Sequence, residues 1–229
     1  MSTPGTLYIV DDDPAVRRAL GRLLRSAGYV TKSFRSADDF LVASSEQMAG
    51  CLILDLAMPG MSGLELQQSL RKAGCWRPII FLSGKADISK SVRAMKSGAV
   101  NFLTKPVDAR ELFASVEEAL LLDASERAAR TRRHGVTTRI ATLTPRERQV
   151  LVHVVAGMIN KQIAARLGIA EKTIKVHRSR VMRKMQAASV VQLVKLASLA
   201  GIHAASQPWP KVSPNIVPAQ SAADTPPHA

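Results

Sequence analysis

Leu52-Ile53-Leu54-Asp55-Leu56-Ala57-Met58-Pro59-Gly60 is a short apolar run that reaches a single carboxylate and then breaks into a Pro-Gly turn. A brief apolar stretch bounded by turn signals reads as a strand buried on both faces, as in a parallel sheet. The same grammar recurs along the first half of the chain. Leu7-Tyr8-Ile9-Val10 runs into Asp11-Asp12-Asp13, residues 78–82 into Ser83-Gly84, and residues 100–103 into Thr104-Lys105-Pro106, with a further candidate strand at 29–33. Helical patterns separate them. Val16, Leu20, Leu23, Leu24 and Ala27 form one amphipathic stripe, and Ser36-Ala37-Asp38-Asp39 opens a second helix ahead of Phe40 and Leu41. Residues 64–72, 88–96 and 109–121 fit three more. Strands alternating with helices predict an α/β fold: a doubly wound, flavodoxin-like sheet of five parallel strands.

Beyond residue 122 the pattern changes. Residues 123–141 are rich in Ala, Ser, Thr and Arg, and read as a linker into which the preceding helix can continue for a turn or two. Residues 142–201 read as four helices. Thr144-Pro145-Arg146-Glu147 is a capping box with Pro at the first helical position. Gly157 ends that helix, and helices at 160–167, 171–185 and 189–200 follow, with Gly168 turning between the second and third. Residues 202–229 are Pro/Ser/Ala-rich and are expected to form a disordered tail, in which Trp209 reads as an incidental aromatic.

The 229 residues suit two domains, and 46% apolar with 22% charged residues marks a globular chain. No stretch approaches the roughly 18 consecutive apolar residues of a membrane span, so no membrane partner is expected. Residues 1–5 run straight into the first strand, so no secretory signal is expected either. Cys51 and Cys75 share no metal-ligand spacing and read as reduced thiols in a cytoplasmic protein. Charge is uneven. Residues 1–122 carry 15 Lys and Arg against 13 Asp and Glu, whereas residues 123–229 carry 17 against 5. The second half therefore suits a polyanion, nucleic acid before membrane.

In an open parallel sheet the functional groups gather beyond the carboxyl ends of the strands. Here that rim would collect Asp11, Asp12, Asp13, Asp55, Ser83 and Lys105. Clustered carboxylates repel unless a cation joins them, and oxygen-only donors favour Mg²⁺ over zinc. A carboxylate flanked by Mg²⁺ and an ammonium is arranged to become an acyl phosphate, with the Ser83 hydroxyl placed to bond a phosphoryl oxygen. Three aspartates after the first strand would repel a flavin phosphate. Ala57 stands where a haloacid-dehalogenase-type phosphatase needs its second acid.

Tyr8-Ile9-Val10-Asp11-Asp12-Asp13, Asp55 with Met58-Pro59-Gly60-Met61-Ser62-Gly63, Ser83-Gly84, and Gly98-Ala99-Val100-Asn101-Phe102-Leu103-Thr104-Lys105-Pro106 resemble the receiver domain of two-component response regulators, over residues 6–122. The resemblance implies that Asp55 is phosphorylated by a sensor histidine kinase. It implies that Asp12, Asp55 and the carbonyl of Ala57 hold Mg²⁺, with Asp11 helping through water. Lys105 would pair with the phosphoryl group, and Ser83 would move toward it while Phe102 swings inward. Lys85 and Asn101 depart from the usual pattern, and Lys85 is expected to hinder attacking water.

On a helical projection of 171–185, His177, Val181 and Met185 fall within about 60° of Ile174 and form with it a core stripe. Lys172, Lys175, Val176, Ser179, Arg180 and Arg183 occupy the remaining arc, which suits the second helix of a helix-turn-helix. Lys and Arg suit phosphates or guanine edges, and Val176 suits a thymine methyl. Leu143-Thr144-Pro145-Arg146-Glu147-Arg148-Gln149-Val150-Leu151, Asn160-Lys161-Gln162-Ile163-Ala164 and Thr173-Ile174-Lys175-Val176-His177 resemble the LuxR-type DNA-binding domain. With the receiver, the chain resembles a FixJ/NarL-type response regulator. The resemblance implies that Lys175, Val176 and Ser179 face base edges while Lys161, Thr173 and Arg183 contact phosphates. Ile159 and Ala170 stand where a Ser usually caps each helix; Asn160 is expected to cap the second helix instead.

The combined expectation is a phosphorylation-activated transcriptional regulator, not an enzyme, that forms a homodimer when phosphorylated and binds promoter DNA, with RNA polymerase a further partner. The rival reading, a phosphohydrolase acting at Asp55, lacks a second acid and a water-activating base.

Overall fold

The computed structural model describes residues 5–45, 48–84 and 88–203. These form two compact units, one up to Arg132 and one from Arg133.

In the first unit, β1 (Thr6–Val10), β2 (Thr31–Phe34), β3 (Gly50–Asp55), β4 (Ile79–Ser83) and β5 (Asn101–Thr104) alternate with α1 (Pro14–Ser26), α2 (Ala37–Ala43), α3 (Gly63–Lys72), α4 (Ile88–Lys96) and the first part of α5 (Ala109–Ala141), whose residues from Arg133 on belong to the second unit. The sheet order is β2-β1-β3-β4-β5, and every pairing is parallel. This is the doubly wound sheet that the apolar runs predict. Successive strand residues face opposite sides. Leu52 and Leu54 pack with Tyr8, Val10, Phe40, Leu66 and Phe81 on one face. Cys51 and Ile53 pack with Leu7, Ile9, Leu24, Ile80 and Val116 on the other.

Helix starts follow their local chemistry. Asp13 accepts the Ala15 N–H at the head of α1, Ser36 caps α2, and Ser62 with Glu65 closes a capping box on α3.

One expectation needs revision. The segment 123–141 is helical throughout, as part of a 33-residue α5. It lacks an apolar period because residues 124–132 bury nothing, yet its Ala and Arg are strong helix formers. Its last turns do pack: Val136 and Ile140 join the core of the second unit.

That second unit adds α6 (Pro145–Val155), α7 (Asn160–Leu167), α8 (Glu171–Met185) and α9 (Val190–Leu199). Val150, Leu151, Val154, Ile163, Ile174, Val181, Met185 and Leu193 form its centre. Thr144 and Glu147 make the expected capping box, and Gly168 takes the left-handed conformation (φ +65°) that turns α7 into α8. Ile202 still packs against this core, one residue into the expected tail. The readings of residues 204–229, Trp209 and Lys85 lie outside the described residues.

Candidate functional site

The carboxyl ends of β1, β3, β4 and β5 bring Asp11, Asp55, Ser83 and Lys105 together, four of the expected rim residues. Asp55 pairs with Leu82 across β3 and β4, and Ser83 with Thr104 across β4 and β5, so register alone sets Asp55, Ser83 and Lys105 side by side. The Lys105 N–H donates to the Ser83 carbonyl (2.7 Å), and the Lys105–Pro106 peptide is cis.

Lys105 Nζ donates to Asp11 Oδ2 and to Asp55 Oδ1, each at 2.6 Å. Both carboxylates are buried. Their other oxygens are held by the backbone: Asp11 Oδ1 accepts the Asp13 N–H (2.9 Å) and Asp55 Oδ2 accepts the Ala57 N–H (2.9 Å). Arg17 Nη1 donates to the Asp11 carbonyl (2.6 Å). The first turn of α3 passes close behind, because a Cβ at Gly63 would stand 2.3 Å from the Asp55 carbonyl oxygen.

Burial raises the pKa of Asp55 above its ordinary value, and the hydrogen bond from Lys105 only partly offsets this. Burial works against the Lys105 ammonium too. Its bonds to Asp11 and Asp55 outweigh that cost and hold its pKa above the ordinary value.

Two of the rim aspartates stand apart. Asp12 is exposed, and Asp13 turns away to cap α1. Ser83 is buried. Phe102 is half-buried, its ring centroid 6.5 Å from that of Phe81. Asn101, where an acid is common, donates through Nδ2 to Ser115 Oγ of α5 (2.8 Å) and so joins the packing of that helix.

The donor set suits a hard cation. Two buried carboxylates share the Lys105 ammonium, and their other oxygens accept backbone N–H groups, so the side-chain ligand atoms on offer are hard carboxylate oxygens. Among the described residues no three His, Cys, Asp or Glu side chains already converge as a metal site.

In the second unit α8 presents a cationic face. Lys172, Thr173, Lys175, Val176, Ser179, Arg180 and Arg183 are exposed, whereas Ile174, Val181 and Met185 are buried. His177 sits between, half-buried, with Nδ1 enclosed and without a hydrogen-bond partner among the described residues. Lys161 is exposed on the first turn of α7. Asn160 does not cap that helix: its Oδ1 accepts from Arg178 Nη1 of α8 (3.1 Å). Sequence reasoning missed this pairing, and equally the burial of the capping-box Glu147, whose carboxylate accepts from Lys184 Nζ (2.7 Å) as well as from the Thr144 N–H (2.9 Å).

A doubly wound sheet carrying an Asp–Lys–Asp cluster on its rim, followed by a basic helix-turn-helix, defines a signal-receiving domain joined to a DNA-binding one. Residues 7–117 match the family model described as the response regulator receiver domain, and residues 141–197 match that of the bacterial regulatory proteins of the luxR family. The response regulator protein TodT of Pseudomonas putida is 45% identical over 190 residues, which cover 83% of this chain and 84% of that protein. The transcriptional regulatory protein FixJ of Azorhizobium caulinodans is 42% identical over 204 residues, 89% of this chain and 97% of that one. A solved structure of the response regulator StyR matches with a TM-score of 0.77 at 44% identity, covering 86% of this chain and 99% of that one. The chain belongs to the response regulators that join a receiver to a LuxR-type helix-turn-helix. It is a transcriptional regulator, and its family is not an enzyme family. No helix among the described residues is long and apolar enough to cross a membrane.

Proposed function

We propose that Asp55 accepts a phosphoryl group from a sensor histidine kinase, and that this promotes dimerisation and the binding of promoter DNA by the second unit. The observation that carries the reading is the Lys105 ammonium at 2.6 Å from both Asp55 and Asp11. An Asp55 oxygen attacks phosphorus as the P–N bond of a phosphohistidine breaks; the imidazole leaves with the electron pair and takes up a proton. The Lys105 ammonium, already bonded to the attacking carboxylate, neutralises charge on the transferred oxygens. Asp11, Asp12, Asp55 and the Ala57 carbonyl are the residues that would hold Mg²⁺, which supplies further charge neutralisation when bound. Ser83 is the hydroxyl that bonds the new phosphoryl group, and Phe102 reports the change to the surface of α4 and β5.

On the DNA side, Lys175, Val176 and Ser179 face base edges, and Lys161, Thr173, Arg180 and Arg183 hold phosphates. Such a regulator works in the cytoplasm and has RNA polymerase as a further partner. The test treats the full chain with acetyl phosphate and Mg²⁺. Its intact mass is expected to rise by one phosphoryl group, its dimer fraction to grow in light scattering, and its affinity for duplex DNA to increase. Asp55→Asn is expected to lose all three. An unchanged wild-type mass overturns the reading.

A further inference from the structure

Neither helix of the helix-turn-helix has an N-terminal side-chain cap. Ile159 and Ala170 hold the cap positions in extended backbone but offer no acceptor. At α7 only the reverse half of a capping box is made, from the Ile159 N–H to Gln162 Oε1 (3.0 Å). An uncapped first turn leaves backbone N–H groups without partners and frays readily. Asn160 could have supplied an acceptor, but its carbonyl oxygen reaches across to α8, where half-buried Arg178 donates to it at 3.1 Å. The first turn of α7 is thus held from the neighbouring helix rather than from its own cap.

That turn carries Lys161, exposed beside Asn160, while the turn of α8 around Arg178 carries Lys175, Val176 and Ser179. Arg178 lies about 40° from Ile174 on a helical projection, on the packed side rather than the cationic arc. We propose that Arg178 is a positioning residue for DNA recognition. Its bond to Asn160 locks the turn bearing Lys161 against the reading helix, so phosphate anchoring and base contact share one register. This inference rests on the DNA-binding role above.

The test uses the full chain, treated with acetyl phosphate and Mg²⁺, on a duplex it selects from a random library and on a scrambled duplex of equal length. Arg178→Ala is expected to weaken binding to the selected duplex about five- to tenfold, the range of a single coupled contact. Scrambled-duplex affinity and the slope of log affinity against log salt should stay at the wild-type value, since the arginine bonds to protein. Asn160→Ala should match it, the double variant should be no worse than either, and Asn160→Asp, which keeps the acceptor oxygen, should restore most of the loss. If Arg178→Ala melts below the assay temperature, Arg178→Lys and Asn160→Ser carry the same comparison. Equal losses on both duplexes with a salt slope reduced by about one make Arg178 a phosphate contact and overturn the proposal. Additive losses, or a lowered melting temperature with unchanged discrimination, overturn it too. A selected duplex bound alike by all variants defeats only this inference. A chain that selects no sequence and binds no duplex defeats the DNA-binding reading, and this inference with it.

Discussion

Lys105 reaches Asp55 from across an intervening strand: the lysine follows β5, the aspartate ends β3, and β4 lies between them. The same ammonium continues to Asp11 beyond β1. One flexible cation therefore ties together three separate strand ends, and two buried acids depend on it. At Asp55 the shared counter-ion compensates incompletely, so burial still wins there and raises its pKa.

This has a consequence for stability. A group whose folded-state pKa lies above its unfolded value contributes stability that is complete below the unfolded value and is lost as pH rises through the folded one. Ionised Asp55 is thus a burden at neutral pH. Asp55→Asn should raise the melting temperature by a few degrees at pH 7, and the advantage should shrink toward about pH 4. Differential scanning calorimetry of both proteins across that range checks it. An Asn variant that melts lower at pH 7 contradicts the assignment.

Gly63 offers a steric test of the same site. Its Cβ would intrude on the Asp55 carbonyl oxygen, with Phe81 and Leu54 side chains at 3.1 and 3.2 Å giving no room to retreat. Gly63→Ala should cost about 1–3 kcal/mol, the usual range for overpacking. It should also slow phosphorylation by acetyl phosphate, because β3 and α3 must separate at the residue that reacts. Urea unfolding and the rate of mass gain measure the two effects.

Much of this site was legible in sequence because it is written in strand ends: Asp55, Ser83 and Lys105 each follow a short apolar run, and parallel register brings such positions together. What stayed hidden depends on partners far along the chain. Asp123 follows Leu120-Leu121-Leu122, and nothing local singles it out. In the structure it is buried, accepting the N–H of Gly50 (2.9 Å), 73 residues away, and pairing with Arg127 (2.9 Å). The pairing ties α5 to the start of β3. Likewise, nothing local reveals that Asn160 serves Arg178 rather than its own helix. Asp123→Ala should cost about 1–3 kcal/mol by stranding a buried donor. Asp123→Asn, which keeps an acceptor, should recover part of it, as thermal melts will show.

Glu147 gives the second unit its own pH response, of opposite sign. Burial pushes its pKa up, but the bonds from Lys184 and the Thr144 N–H outweigh that and hold it below the ordinary 4.5. A depressed carboxylate contributes stability above its unfolded pKa, and that contribution is lost as pH falls through the folded value. Glu147→Gln should cost about 1–2 kcal/mol at pH 7, the worth of a charge-assisted hydrogen bond partly open to solvent. The difference from wild type should close below about pH 4. A gap that persists in acid would assign the effect to packing rather than charge.

The missing caps make a prediction in the stabilising direction. Ile159 has φ −80° and ψ 160°, the extended conformation of a capping residue, and Gln162 already returns a hydrogen bond to its N–H. Ile159→Ser would supply the hydroxyl that completes a capping box without moving the backbone. The isoleucine is largely exposed, 60% by surface, so little packing is surrendered. A gain of about 0.5–2 kcal/mol is expected, read as a higher melting temperature of the full chain. Because Lys161 lies in the turn that becomes capped, the same variant should also make Asn160→Ala less damaging to discrimination between selected and scrambled DNA. If the cap stabilises the helix yet leaves that penalty untouched, the Arg178 bond orients the two helices rather than merely holding the first turn of α7 together.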